Sequence, residues 1–86
     1  MKLKDGFVMR QVAGENVVLN VGGNTDFRGV MTLNATAATL WKRLEEEAEV
    51  ADLVQTLLSE YEVDEKTAQA AAASFVETLK ERDLLV

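Results

Sequence analysis

The sequence contains no cysteine, no histidine and no proline, and only one tryptophan and one tyrosine. Each absence removes a class of chemistry. Without cysteine there is no disulfide framework, thiolate metal site or thiol nucleophile. Without histidine the commonest general base and metal ligand are gone as well. Catalysis would then rest on carboxylates, lysines, hydroxyls or Tyr61. The 15 acidic residues are spread along helix-like segments rather than paired in apolar surroundings, and charged side chains at such positions mostly solvate a face. No catalytic residue, metal ligand or cofactor site is therefore assigned. Long apolar runs are lacking too: the longest stretch of strictly apolar residues is Ala70–Ala73, far short of the roughly 20 residues needed to span a bilayer. No apolar segment follows the charged start Met1–Gly6, so neither a signal peptide nor a membrane partner is expected. The plain reading is a cytoplasmic protein.

What is present fits one small domain covering residues 1–86, because a chain of this length holds a single core. With 48% apolar and 28% charged residues it has a globular composition rather than a disordered one. The charge is uneven. Residues 1–34 carry a net +1 and residues 35–86 a net −7. Duplex binding needs phosphates neutralised by Lys and Arg, so this balance argues against a nucleic-acid partner.

The hydrophobic period changes where the charge does. Phe7–Val12 and Val17–Val21 are β-rich runs, and Ala13-Gly14-Glu15-Asn16 between them has hairpin turn chemistry. Gly22-Gly23-Asn24 breaks the second run, residues 22–28 read as a loop, and Gly29–Leu33 reads as a third strand. From Asn34 the period is helical. Ala37, Leu40, Trp41, Leu44 and Ala48 share one face, and Asn34 has the side chain of an N-cap. Leu53, Val54, Leu57, Leu58 and Tyr61 define a second helix. Asp64 is placed to cap a third, whose apolar arc is Ala68, Ala71, Ala72, Phe75, Val76 and Leu79. Leu84-Leu85-Val86 follows as an apolar tail. The order is α+β: a three-stranded antiparallel meander followed by three helices.

Few residues invite a functional reading. Trp41 on an apolar arc reads as core, and Tyr61 reads as packing with its hydroxyl at the surface. Gly22-Gly23-Asn24 lacks the spacing of a phosphate loop, and Asp64-Glu65 and Glu45–Glu47 lack the pattern of a calcium loop. Two features go further. Ala70–Ala73 is explained by helix propensity, or by a shallow groove left beside the helix for another chain. The third strand, with Val30 and Thr32 on one face and Met31 and Leu33 on the other, contains no Lys, Glu or Pro to blunt an edge. Either a helix of the same chain covers it, or it is open to another strand.

The segments GFVMRQVAGENVVLNVG, DFRGVMTLNATAATLWKRL, VADLVQTLLSEYEVDEKTAQ and FVETLKERDLL, in this order and spacing, resemble the PqqD-like family, named for a protein of pyrroloquinoline quinone biosynthesis. The resemblance runs from about Gly6 to Leu85. It implies a winged-helix-like domain that is a non-catalytic recognition element. Such a domain binds the leader of a ribosomally made precursor peptide and presents it to a modifying enzyme, often a radical S-adenosylmethionine protein. It further implies that the leader adds as a strand to the third strand in a cleft beside the third helix. Carried over, the peptide-binding residues are Val30, Met31, Thr32 and Leu33, with Ala71, Ala72, Phe75 and Val76 as the opposing wall. On this reading an arginine at Ala72 abolishes binding and leaves the fold intact.

Three alternatives compete. A winged-helix DNA-binding regulator conflicts with the net −2 of residues 64–83. A carrier protein needs a serine near a helix start, whereas Ser59 and Ser74 lie at a helix end and mid-helix. Self-association through the third strand, giving a homodimer, stays open, because an uncharged edge pairs with its own copy as readily as with a peptide.

Overall fold

The computed structural model describes residues 1–22 and 31–86. Three strands come first, β1 (Phe7–Val12), β2 (Glu15–Asn20) and β3 (Met31–Leu33), then three helices, α1 (Ala35–Arg43), α2 (Val50–Glu60) and α3 (Glu65–Glu81). The strands form one antiparallel sheet in the order β1-β2-β3. The expected α+β meander followed by three helices is therefore present. The start of the expected third strand, Gly29 and Val30, and residues 23–28 of the expected loop lie outside the described residues.

The hairpin turn is tighter than the sequence suggested. Val12 pairs with Glu15, so only Ala13 and Gly14 make the turn, and both have positive φ (53° and 82°). A two-residue turn with this backbone matches the right-handed twist of the strands it joins. At the open end of the hairpin, Gly6 and Gly22 touch: a Cβ on Gly22 would lie 2.6 Å from the Gly6 Cα. Only glycine permits that approach.

One face of the sheet carries Val18, Met31 and Leu33, all buried against the helices. Trp41 is 1% exposed and joins Leu40, Leu44, Leu53, Leu57, Leu79 and Leu84 in the same core. α1 begins directly after β3 because Asn34 has an extended backbone and also caps: its Oδ1 accepts from the Ala37 N–H at 2.8 Å. Asp64 does the same for α3, its Oδ1 accepting from the Thr67 N–H at 2.7 Å. At the start of α2, Asp52 accepts from the Glu49 N–H at 2.8 Å.

α1 is shorter than its apolar period. It ends at Arg43, and Ala48, expected on its arc, sits in the connection to α2 at 2% exposure. The reason is local: Glu45, Glu46 and Glu47 would put three negative charges on the C-terminal end of the helix dipole. The chain ends are also more ordered than an apolar tail implies. Leu3 pairs with Leu85, Lys4 N–H donates to the Leu84 carbonyl at 2.9 Å, and Lys4 Nζ lies 2.8 Å from Asp83 Oδ2.

Candidate functional site

The pairing register decides which backbone groups of β3 look outward. The Val21 N–H donates to the Gly6 carbonyl at 2.8 Å. Bonded and non-bonded pairs alternate in an antiparallel ladder, so Val17 and Leu19 direct their backbone groups to β1, and Asn16 and Val18 direct theirs to β3. Asn16 is paired with Leu33 and Val18 with Met31. Thr32, opposite Val17, therefore turns its N–H and C=O away from the sheet. Its side chain is exposed, on the face opposite to Met31 and Leu33. Among the described residues no backbone group bonds it from the outer side.

Where β3 hands over to α1, at Asn34, a groove of about 340 Å³ opens. One wall is the start of α1 (Asn34, Thr36, Ala37) with Leu40 at its floor, and the other is the α3 stripe Ala71, Ser74, Phe75 and Thr78. These α3 residues are spaced i, i+3, i+4, i+7 and so share one face. Asn34 follows Leu33 directly, which places the groove mouth at the end of β3. The groove continues into a smaller pit of about 110 Å³ toward the α2–α3 junction, with Leu57, Tyr61, Val63 and Ala68 around it. Thr36 and Ala71 line both chambers. From Thr67 to Thr78 the helix extends roughly 16 Å, about the length of five extended residues. None of the described residues lining either chamber carries a charge. The nearest titratable group with a perturbed pKa is Asp64, whose carboxyl is held below its ordinary value by hydrogen bonds from the Thr67 side chain and then its amide.

The seven described residues expected to form the site fall into three groups. Ala71 and Phe75 line the groove, whereas Thr32 lines neither chamber and stands two residues before the first wall residue, Asn34. Met31 and Leu33 are buried under the sheet and hold Thr32 in register. Ala72 and Val76, at 0% and 4% exposure, face the core and back the groove wall from within. An arginine at Ala72 therefore meets the core, and the expectation that it spares the fold is corrected. Val30 lies outside the described residues. Ser74 and Thr78 were missed; the i, i+3, i+4, i+7 spacing from Ala71 was the available signal. Tyr61 packs half-buried against the core as expected, and its hydroxyl in addition lies 2.7 Å from Thr39 Oγ1. A second cleft, of about 310 Å³, runs along β1 and mixes Lys2, Lys4 and Arg10 with Asp5 and Glu45, so its charges offer no single preference.

This geometry suits an extended, uncharged segment: an outward backbone rung at Thr32 and a neutral trough that opens at Asn34. Two solved structures share the fold. TbiB1 in complex with the TbiA(beta) leader peptide is 28% identical with a TM-score of 0.76, over 99% of this chain and 94% of that one. Lasso peptide synthetase B1 complexed with the leader peptide is 31% identical with a TM-score of 0.73, over 96% and 93% of the two chains. No curated protein sequence matches. The family model for coenzyme PQQ synthesis protein D (PqqD) matches residues 15–85, which run from the first residue of β2 to the strand-like pairing of Leu85. On that match across nearly the whole fold, the chain belongs to the PqqD family.

Proposed function

We propose that this protein is a non-catalytic module that captures the leader of a ribosomally made precursor peptide as an added strand on β3. Alternate side chains of the peptide then point into the groove against α3. The observation that carries the reading is the outward backbone of Thr32, two residues before the first wall residue of an uncharged trough. The two similar structures, each holding a leader peptide, support it. The module presents the bound leader to a modifying enzyme, of which radical S-adenosylmethionine proteins are one kind, and meets its newly made peptide in the cytoplasm. Among the described residues no helix is long and apolar enough to cross a membrane. The family's name does not decide which product the peptide yields.

Magnitudes show where affinity and selectivity arise. Each added backbone bond contributes roughly 1 kcal/mol net, while association costs about 4 kcal/mol or more. A short strand alone therefore roughly breaks even. Side chains seated in the groove contribute about 1.5–3 kcal/mol each and decide which peptide binds. This division of labour, with the backbone giving general affinity and pockets giving preference, is that of strand-addition recognition.

The test is a titration of ¹⁵N-labelled protein with the synthetic leader of the precursor encoded beside its gene. Shifts at Met31–Asn34 and along Ala71–Thr78 are expected. No shift in either segment, with the protein folded, overturns the proposal. Broadening at Thr32 that follows protein concentration without peptide identifies pairing with a second copy instead.

A further inference from the structure

Tyr61 closes α2, and its side chain reaches back to the first turn of α1. Its hydroxyl lies 2.7 Å from Thr39 Oγ1 and 3.3 Å from the Ala35 carbonyl. The Thr39 hydroxyl is itself 3.1 Å from that carbonyl. The protons allot themselves simply: Thr39 donates to Ala35, and its oxygen accepts the Tyr61 proton. The end of α2 is thus tied to the start of α1 across 22 residues of sequence.

The tied turn also carries Thr36, which faces the pit across from Leu57, Val63 and Ala68, and the Tyr61 ring is itself one wall. The tie therefore sets the separation of two pit walls. The space is about 110 Å³, and an apolar cavity of roughly 150 Å³ is what benzene occupies in another protein. No charged residue lines the pit, so a charged guest would lose its hydration without a partner.

We infer that Tyr61 is a specificity-determining residue: the pit beside its ring seats one aliphatic side chain of the bound peptide, and the hydroxyl tie to Thr39 holds the pit too narrow for an aromatic ring. The inference rests on the proposed peptide capture and adds the identity of one anchor. Tyr61 acts partly by contact, through its ring, and partly by positioning the α1 turn, through its hydroxyl. Removing the hydroxyl keeps the ring and releases the turn.

The experiment is selection from a displayed random-peptide library on the wild-type protein, Tyr61→Phe and Thr39→Val, each first shown to be folded by NMR. Peptides enriched by the wild type are expected to carry Leu, Ile or Val at one fixed position of an extended stretch. Both variants are expected to raise the share of Phe, Tyr and Trp at that position severalfold. A merely structural role lowers affinity for all peptides alike and leaves this ratio unmoved. An unchanged preference in both variants, or aromatics at that position with the wild type, overturns the inference and leaves peptide capture standing. No enrichment of any peptide by the folded wild type overturns both.

Discussion

Thr32 stands opposite Val17 in the β2–β3 ladder, in a pair whose backbone groups point away from each other. A proline at position 32 therefore removes a donor that the sheet does not use. Edge strands tolerate proline where its missing N–H faces outward, and Met31 before it is already extended. Thr32→Pro is expected to stay folded while binding a leader peptide about fivefold or more weakly, the equivalent of one lost bond of roughly 1 kcal/mol. Leu33→Pro, which removes a rung to Asn16 and a buried side chain, is expected to destabilise the fold outright. Thermal unfolding and fluorescence anisotropy on the two variants check both halves. Equal destabilisation would mean that the Thr32 N–H is used within the sheet.

Ala71 and Ala72 are neighbours with opposite duties. Ala71 lines both chambers of the groove, whereas Ala72 has no exposed surface. Ala71→Arg keeps helix propensity nearly unchanged and fills the groove, so it should leave the circular dichroism spectrum intact and cut peptide affinity more than tenfold. Ala72→Arg forces a charge and extra volume into the core, at a cost of about 4 kcal/mol or more, and should prevent folding at ordinary temperature. A folded, peptide-binding Ala72→Arg protein would mean that Ala72 does not face the core.

These two alanines also show what could be read from the sequence. The period of α3 placed Ala68, Ala71, Ala72, Phe75, Val76 and Leu79 on one arc, but which rim faces a groove depends on where α1 lies. That is a tertiary fact. Caps were legible because their chemistry is local: Asn34 and Asp64 bond amides three residues away. The uncharged edge of β3 was legible for a similar reason. Leu3 was not, because a single apolar residue among charges has no period, and its partner Leu85 lies at the other end of the chain. The Tyr61 tie was hidden likewise, since nothing near residue 61 announces Thr39. The early end of α1 was readable in Glu45–Glu47, but the apolar period masked it.

Ala13 offers a gain in stability. It holds a φ of 53° in the two-residue turn, a left-handed backbone that costs an L-residue with a Cβ about 1 kcal/mol. Asparagine tolerates this region and, before Gly14, gives the preferred Asn-Gly turn. Ala13→Asn should raise the thermal midpoint by a few degrees, in line with the shift that about 0.5–1 kcal/mol produces in a domain of this size. Ala13 lines neither chamber of the groove, so peptide affinity should not change. A lower midpoint would show that the turn is strained in some other way.

Asp64 gives the acid limb of stability a named contributor. Hydrogen bonds from the Thr67 side chain and then its amide hold the carboxyl below its ordinary value of 3.8. A group whose pKa is lower in the folded chain contributes stability that is present above the unfolded value and lost as pH falls through the folded one. Stability should therefore drop below about pH 4 in part because this cap becomes protonated. Asparagine is an equally favoured N-cap residue but does not titrate, so Asp64→Asn separates charge from capping. The variant should melt slightly lower than the wild type at neutral pH, and its midpoint should fall less steeply between about pH 4 and pH 2. Melting curves across that interval decide the point: parallel declines in the two proteins would assign the acid sensitivity to other carboxylates.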